Sequence, residues 1–271
     1  MKESPALIEK DGVTFFLYPR WEKEGLVGHG FSTRLGGLSR GVFASLNLGL
    51  KGGDSPEIVG KNRQRFLGIW GKGEKDLYYG EQVHGKEVFL VDRLFLSKGT
   101  REIPGTDAVI TSERQVLLGA FSADCLLVFF LDPGAPAIGV AHAGWRGTFS
   151  GILPGVVEAM NKSFGSEPGS LEVLMAPSIG PCCYEVGEDV MDIAAASHWG
   201  REAVFYPGIR PGHRFLDLQK TNSNILCKVG VRPFNIITNE FCTCCRPDLF
   251  YSYRGAKRGA TGSHMGIIFL R

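Results

Sequence analysis

The sequence has no apolar run that approaches the roughly 20 residues needed to span a bilayer as a helix. Its longest apolar stretch, residues 116–132, is interrupted by Asp124. The first residues also lack the apolar core and the small-residue cleavage site of a secretory signal peptide. We therefore expect a cytoplasmic protein that does not enter a membrane.

An excess of charge of one sign is missing as well. The 30 Lys and Arg residues nearly balance the 28 Asp and Glu residues, so the net charge is only +2. This balance argues against binding to nucleic acid or to a membrane surface. The 271 residues, 44% of them hydrophobic, suffice for a sizeable core, and no repeat or long linker divides them. We expect one domain over residues 1–271, as a monomer or a weak homo-oligomer.

Strand-like and helix-like patterns alternate along the chain. Helices are predicted at residues 55–71, 148–165, 188–200 and 217–231. Between them, apolar stretches such as 116–132 and 136–144 show no polar alternation, which is typical of strands covered on both faces. The order of elements predicts an α/β or mixed α+β fold built in layers.

Three short segments carry a potential metal ligand at the end of an apolar strand or in the next turn. The ligands are His84 in "EQVHG", Cys125 in "SADCLLV" and His142 in "VAHAGWRG". Two imidazoles and a thiolate can hold zinc and leave a fourth position open for water or substrate, which is the catalytic arrangement. Their spacing matches no local zinc motif, so the fold would have to assemble the site.

Each of these residues also has an ordinary interpretation. Cys125 can be a small buried hydrophobe, and either histidine can be a hydrogen-bonded turn residue. Asp124 is harder to dismiss, because a carboxylate among apolar residues needs a partner. It could orient an imidazole or take a proton, and it is a candidate catalytic residue beside Cys125 and His142.

The chain contains a series of longer blocks, in this order: "FSTRLGGLSRGVFASLNLGLKGGD", "NRQRF", "EQVHG", "TDAVITS", "SADCLLVFFLD", "AHAGWRGT", "APSIGPCCYEVGEDV", "LDL", "FCTCC" and "FYSYRGAKRGATG". They resemble the blocks of the YfiH-like family, also called laccase-domain, multicopper polyphenol oxidoreductase or purine nucleoside phosphorylase. The resemblance runs from about Gly30 to the C-terminus. It implies stacked α/β/β/α layers with mixed sheets, similar to the catalytic domain of deamidating toxins. It also implies a zinc site made by His84, Cys125 and His142.

The resemblance is incomplete near the C-terminus. The family usually has "TGR" where this chain has Thr261, Gly262 and then Ser263 and His264. The role of the missing arginine could pass to Arg254 or Arg258. His264 is then an additional candidate polar group.

Several residues are candidates for binding substrate. A guanidinium can hold a phosphate through two parallel hydrogen bonds, so Arg34, Arg63 and Arg146 are candidate anion ligands. Asn47, Gln82 and Tyr184 are candidate ligands for a sugar or a base, by position only.

The seven cysteines are an odd number in a chain expected in the cytoplasm, which favours thiols or metal ligands over disulfides. Besides Cys125, five of them cluster in two segments: Cys182, Cys183, Cys242, Cys244 and Cys245. Cys242 and Cys245 have C-x-x-C spacing, but a structural zinc site needs a second ligand pair, and adjacent cysteines seldom chelate one ion comfortably. Ordinary thiols are the favoured interpretation, with a redox pair as the alternative.

The resemblance implies a zinc-dependent enzyme that acts on nucleoside and phosphate. Phosphorolysis of adenosine, inosine, guanosine and methylthioadenosine would have phosphate attack C1′ of the ribose as the base leaves. Deamination of adenosine is the related activity, in which water activated by zinc attacks C6 while Asp124 or another carboxylate moves the proton.

Three other functions remain open. A copper polyphenol oxidase would also use two histidines and a cysteine, but its trinuclear cluster needs more imidazoles than a chain with six histidines easily supplies. A cysteine hydrolase that edits peptidoglycan precursors would use Cys125 as nucleophile and His142 as base. A binding module without activity would leave the gathering of such groups unexplained.

Overall fold

The computed structural model describes residues 4–97, 99, 101–114 and 116–271. Within them the strands, numbered in chain order, form three sheets. The first sheet has seven strands, in the spatial order β1 (Ala6–Lys10), β2 (Val13–Leu17), β3 (Val27–Ser32), β16 (His264–Leu270), β8 (Leu117–Ser122), β4 (Leu77–Gly80) and β6 (Glu102–Ile103). It is mixed, because β4 runs parallel to both β8 and β6 while the other pairs are antiparallel.

The second sheet has six strands, in the order β15 (Ile236–Ile237), β11 (Glu172–Met175), β9 (Leu126–Asp132), β10 (Ala137–Ala143), β7 (Ala108–Thr111) and β5 (Val88–Leu90). It is also mixed, with parallel pairs at its two edges. A small third sheet contains β12 (Glu185–Val186), β14 (Arg214–Leu216) and β13 (Phe205–Pro207).

The described residues contain seven α-helices, which connect the strands: α1 (Pro19–Glu24), α2 (Pro56–Gly68), α3 (Arg93–Leu96), α4 (Trp145–Ser150), α5 (Ile152–Phe164), α6 (Glu188–Ala196) and α7 (Leu218–Lys228). The predicted helices at 55–71, 188–200 and 217–231 correspond to α2, α6 and α7. None of the helices in the described residues is both long and apolar enough to cross a bilayer.

The helix predicted at 148–165 is instead two helices. The break lies at Gly151, whose φ of 88° is a left-handed value that favours glycine. The chain turns there, and a side chain at this position would collide with the Trp199 ring. Pro154 follows in the first turn of α5, where no intrahelical N–H donor is required.

The two large sheets pack face to face. Phe31 and Ile268 of the first sheet share a core with Phe129 and Val140 of the second. Helix α2 covers the outer face of the first sheet, and helices α5 and α7 cover the outer face of the second. The predicted α/β/β/α layering with mixed sheets is therefore confirmed. Strands β9, β10 and β16 are buried along their whole length, as their unbroken apolar sequences indicate.

Strand pairing brings distant residues to one edge of the second sheet. Strands β9 and β10 are antiparallel, and Ala143 is paired with Leu126, so the end of β10 lies beside the start of β9. Strand β7 begins at Ala108, which is paired with Ala141. Residues that immediately precede β7 and β9, or that end β10, therefore meet at this edge.

Candidate metal centre

Two imidazoles and a thiol meet at this edge of the second sheet. The side chains of His84, Cys125 and His142, which we call the triad, have potential ligand atoms that all lie within 4.8 Å of one another. The two imidazole rings stand nearly perpendicular, with centroids 4.8 Å apart. Cys125 directly precedes β9 and His142 lies at the end of β10, while His84 comes from the loop between β4 and β5. The three predicted ligands are thus brought together by the fold.

Asp107, which the sequence analysis missed, supports the triad from behind. Its Oδ1 atom lies 2.8 Å from Nδ1 of His142, and both side chains are buried. The backbone N–H of His142 also donates to the Asp107 carbonyl, at 2.8 Å. With Nδ1 engaged, Nε2 is the nitrogen of His142 that is available to a metal ion. A carboxylate behind a ligating histidine is the usual support in metal sites.

The same carboxylate also holds the loop that carries His84. Three consecutive backbone N–H groups donate to Asp107, from Val83 at 3.1 Å, His84 at 3.0 Å and Gly85 at 2.7 Å. His84 has a φ of 61°, an uncommon value for a residue other than glycine. The hydrogen bonds that converge on Asp107 stabilise this conformation. One buried carboxylate therefore positions both histidines.

Electrostatics favour an ionised thiol in the triad. Burial raises the pKa of the Cys125 thiol, but the adjacent His142 and His84 imidazoles favour the thiolate more strongly, and the pKa is lowered to about 6. Burial lowers the pKa of His142, whereas Cys125 and Asp107 raise it, to about 9 overall. A low thiol pKa suits either a metal ligand or a nucleophile.

Gly144 leaves the space beside the triad open. A Cβ atom at this position would lie 3.0 Å from Sγ of Cys125 and 3.3 Å from Cδ2 of His84. Gly144 has a φ of −68°, which any residue can adopt, so the requirement for glycine is one of space. A side chain here would crowd two ligands at once.

Asp124, the predicted proton carrier, has other partners. Its Oδ1 accepts a hydrogen bond from the Thr243 hydroxyl at 2.6 Å, and its Oδ2 accepts from the backbone N–H of Arg254 at 2.7 Å. Burial raises the pKa of Asp124, although these hydrogen bonds oppose the shift. The carboxylate thus ties the turn before Cys125 to the C-terminal part of the chain, and the partner of the His142 imidazole is Asp107 instead.

The three predicted anion-binding arginines differ in their surroundings. Arg34 donates to the carbonyls of Ala44 and Pro247, both at 2.8 Å. Arg63 is buried and donates to the Leu48 carbonyl at 2.8 Å. Arg146 is exposed, and in the described part of the chain its guanidinium contacts the Trp145 ring at 4.4 Å without a hydrogen bond or ion pair.

The predicted sugar and base ligands also fall into two groups. Asn47 is buried, and its side chain accepts from the backbone N–H groups of Gly49 and Ser263. The amide of Gln82 exchanges two hydrogen bonds of 2.7 Å with the backbone of Phe121. The side chains of Asn47 and Gln82 therefore stabilise the backbone of loops. Tyr184 is half-buried, and the Cys125 thiolate contributes to a raised pKa of its phenol, after the larger effect of burial.

Three further candidates lie in the C-terminal segment: His264, Arg254 and Arg258. His264 is fully buried and accepts a hydrogen bond from the backbone N–H of Tyr251 at 2.9 Å. Arg254 donates to the Glu185 carbonyl at 2.8 Å and lies over the Tyr184 ring. Arg258 has a φ of 65° in the turn that follows.

Comparison with known proteins gives consistent matches over most of the chain. Residues 28–271 match the family model described as "Multi-copper polyphenol oxidoreductase laccase". "Purine nucleoside phosphorylase YlmD" of Geobacillus stearothermophilus is 36% identical over 243 residues, which cover 88% of each chain. "Purine nucleoside phosphorylase YfiH" of Escherichia coli is 32% identical over 256 residues, 94% of this chain and 98% of the other. The crystal structure of the Geobacillus YlmD superimposes with a TM-score of 0.88 at 32% identity, covering 98% of this chain and 99% of that one.

Proposed function

The chain belongs to the family described as multi-copper polyphenol oxidoreductase laccase, and we propose on that premise that it is a purine nucleoside phosphorylase with zinc at its active site. The activity is taken from the names of its relatives YlmD and YfiH. The observation that carries the proposal is the triad, with its ligand atoms within 4.8 Å of one another and Asp107 behind His142.

Zinc suits this set of donors. Imidazole nitrogen and thiolate sulfur are its usual protein ligands, and three of them are typical of catalytic zinc. Cys125 would bind as the thiolate that its low pKa favours, and His142 through Nε2. When bound there, zinc would supply a Lewis acid that polarises a substrate atom.

Copper is the less favoured metal for this chain. Two histidines and a cysteine would suit a single copper ion, but a trinuclear cluster needs many more imidazoles. His29 and His264 are buried, and Nε2 of each already accepts a backbone hydrogen bond. His213 is half-buried, and its Nδ1 lies 2.9 Å from the carbonyl of Pro211. The chain's own residues therefore support a single metal ion in the triad better than multicopper oxidation.

Phosphorolysis transfers the ribose from the purine to phosphate. A phosphate oxygen forms the new bond to C1′, the C1′–N9 bond breaks, and its electron pair leaves with the purine, which takes up a proton. We assign the phosphate to Arg146, an exposed arginine four residues after His142 in the chain, since its guanidinium has no competing ion pair in the described residues. Tyr184 carries its phenolic proton at neutral pH, as an ordinary tyrosine does, and burial raises its pKa further, so it can donate a hydrogen bond to the sugar or base.

Adenosine, inosine, guanosine and methylthioadenosine are the proposed substrates. A site that recognises mainly the ribose and the purine ring would accept all four nucleosides. Adenosine deamination is a second candidate activity, favoured by the three-ligand donor set, which leaves room for water. Tests with and without phosphate separate the two reactions.

A cysteine hydrolase is supported by a different observation. Cys125, His142 and Asp107 are arranged as a nucleophile, a base and a carboxylate that orients the base. Cys125, His142 and Asp107 would serve either class of enzyme, as two zinc ligands with a supporting carboxylate or as the parts of a cysteine hydrolase. Bound zinc decides between them, because a thiolate that ligates zinc is no longer free to attack a substrate.

The test measures metal and products together. The purified protein is expected to contain zinc in the triad and to convert adenosine with phosphate to adenine and ribose 1-phosphate, with no adenine formed when phosphate is omitted. Inosine formed without phosphate would instead indicate deamination. If the zinc-loaded protein converts none of the four nucleosides, the proposal is wrong.

Cys125→Ala is the informative variant, and it is expected to lose both the zinc of the triad and the phosphorolysis. Cys227→Ala is the matched control, because Cys227 is an exposed thiol on α7, outside the triad. If Cys125→Ala keeps both zinc and activity, the triad is not the active site. Hydrolytic activity of the wild-type protein that persists after complete removal of metal would favour the cysteine hydrolase.

A further inference from the structure

A second group of potential metal ligands lies outside the triad. Four thiols from two segments about 60 residues apart have sulfur atoms that all lie within 4.8 Å of one another. We call this group the four-thiol cluster; its members are Cys182, Cys183, Cys242 and Cys245. Sγ of Cys245 lies 3.4 Å from that of Cys182 and 3.3 Å from that of Cys183.

We propose that the four-thiol cluster is a second metal site, which binds one zinc ion through four thiolates. In a tetrahedral site with Zn–S bonds of about 2.3 Å, neighbouring sulfurs lie about 3.8 Å apart. The sulfur separations of 3.3 and 3.4 Å are close to this value and all four sulfurs lie within 4.8 Å of one another, so small side-chain rotations suffice to place an ion among them. Each thiol releases its proton to solvent as its bond to zinc forms, and nothing is oxidised.

The second ligand pair that the C-x-x-C sequence lacks is supplied by the turn at residues 180–184. The backbone N–H groups of Cys183 and Tyr184 both donate to the Gly180 carbonyl at 3.0 Å. In this tight turn adjacent side chains do not point to opposite sides, as they would in a strand, so Cys182 and Cys183 both approach Cys245. Adjacent cysteines can therefore serve one ion here.

The backbone around Cys242 is arranged to stabilise a thiolate. The N–H of Gly180 donates to its sulfur at 3.2 Å. The N–H groups of Cys244 and Cys245 also bond to it. N–H groups directed at the first sulfur of a C-x-x-C turn favour the charged form that binds metal.

Space and charge around the cluster also suit an ion. Gly180 lies against the cluster, since a Cβ atom there would be 3.4 Å from Sγ of Cys182 and 3.6 Å from Sγ of Cys242, in van der Waals contact with both. Arg254 donates to the Cys183 carbonyl at 3.4 Å and brings a positive charge beside four thiolates. Cys182 and Cys245 are exposed, which gives metal a path of entry from solvent.

The cluster is connected to the triad through Thr243, which lies within the C-x-x-C turn. Its backbone N–H donates to the Ser178 carbonyl at 3.0 Å, and its hydroxyl donates to Asp124, the neighbour of Cys125. Zinc in the cluster would fasten this turn and so stabilise the chain around Cys125. The two sites nevertheless have separate ligands, so the second site can be tested whatever the triad does.

Zinc content per chain, measured by elemental analysis of the purified protein, tests the proposal. Two zinc ions are expected in the wild type and one in His142→Ala, which retains the cluster. The double variant Cys182→Ser with Cys245→Ser is expected to lose one ion of the two. The exposed single variant Cys182→Ser, which disturbs the fold least, is expected to release the second ion at a lower chelator concentration than the wild type. Cys227→Ser is the control and is expected to keep both.

Cobalt substitution identifies the ligands independently of the count. His142→Ala loaded with Co²⁺ is expected to show an intense sulfur-to-cobalt charge-transfer band, and adding the two serine substitutions should abolish it. Two results would overturn the proposal: a zinc content in His142→Ala that the serine substitutions leave unchanged, or an intact mass showing that the isolated wild type holds a disulfide among these thiols.

Discussion

The Nδ1 atom of His142 lies 2.8 Å from the Oδ1 atom of Asp107, and neither side chain is accessible to more than 3%. This contact fixes the orientation of the imidazole and leaves Nε2 on the side of Cys125. Because Asp107 also accepts from the loop of His84, its carboxylate links two of the three proposed ligands. The geometry of the triad depends on this one side chain more than on any other.

Asp107→Asn is expected to weaken zinc binding about 10- to 100-fold, the usual cost of losing the partner behind a ligating histidine. The substitution keeps the size of the side chain but removes the charge that stabilises the imidazole and the three N–H groups. Competition with a chromophoric chelator measures the change.

Asp132→Asn provides the control for this substitution. Asp132 is also a buried aspartate of the second sheet, but it accepts from the turn at Gly134 and Ala135, at the other end of β9. Its replacement should leave zinc affinity unchanged. Equal zinc affinities for Asp107→Asn and the wild type would show that the carboxylate does not support the metal site.

Gly144→Ala is expected to reduce both zinc affinity and activity by at least about tenfold. The added Cβ atom would approach Sγ of Cys125 to 3.0 Å and Cδ2 of His84 to 3.3 Å, so one of the ligands must move. Zinc titration and initial rates measure the effect. Displacing a catalytic group by about 1 Å can lower the rate about 100-fold.

Gly60→Ala is the matched control, since Gly60 lies in helix α2 and a Cβ atom there would meet nothing within 4 Å. This variant should be more stable than the wild type, by up to about 1 kcal/mol, because alanine favours the helix. Normal zinc affinity in Gly144→Ala would mean that the space beside Cys125 is not needed.

The layers of the fold were predictable because the hydrophobic patterns of single strands and helices indicate which faces are buried. Residues 265–270 are apolar without alternation and are buried on both faces, and residues 56–68 carry their apolar stripe on one helical face. The break at Gly151 was not predictable, since a glycine within an apolar helical pattern also occurs inside unbroken helices. Its left-handed conformation is set by the packing of α4 and α5.

The candidate ligands were recognisable from their positions at strand ends and from the family resemblance, but their support was not. Asp107 directly precedes the buried strand β7, and Asp124 lies two residues before β9, so both positions were the available signal. The sequence favoured Asp124 because it adjoins Cys125. Which carboxylate reaches the imidazole depends on the pairing of β7 with β10, a contact between segments about 35 positions apart that no local pattern reveals.

The thiols illustrate the same difficulty. The C-x-x-C spacing of Cys242 and Cys245 was visible, but the second pair is supplied across a bridge between Ser178 and Cys242. This pairing joins segments more than 60 residues apart. Chain order alone does not bring them together.

Acidification is expected to destabilise the protein through two buried histidines. Nε2 of His29 accepts the N–H of Tyr18 and Nε2 of His264 accepts that of Tyr251, so both rings must be neutral. Burial lowers the pKa of each to about 3. Below pH 6.5 the unfolded chain therefore binds protons that the folded chain does not, and stability falls.

At pH 5 the loss should be roughly 2 kcal/mol for each histidine, from a difference of about 1.5 pH units at 1.36 kcal/mol per unit. Urea unfolding of metal-free protein at pH 7.5 and pH 5 measures it. His29→Gln, which keeps a hydrogen-bond acceptor, should reduce the pH dependence, whereas His213→Gln, at a half-buried histidine, should not. The same slope in all three proteins would contradict this origin.

Arg146 provides the prediction that connects the site to phosphate. Arg146 is exposed, follows His142 by four residues and has no ion pair among the described residues, so it can bind an anion without breaking an ion pair. Arg146→Gln is expected to raise the KM for phosphate about tenfold or more, because a charge-assisted hydrogen bond is worth about 1.5–3 kcal/mol. The KM for the nucleoside should change much less. Arg93→Gln is the control, an exposed arginine whose partner is Glu113. A KM for phosphate that rises equally in both variants, or in neither, would remove Arg146 from the phosphate site and return the assignment to Arg34 and Arg63.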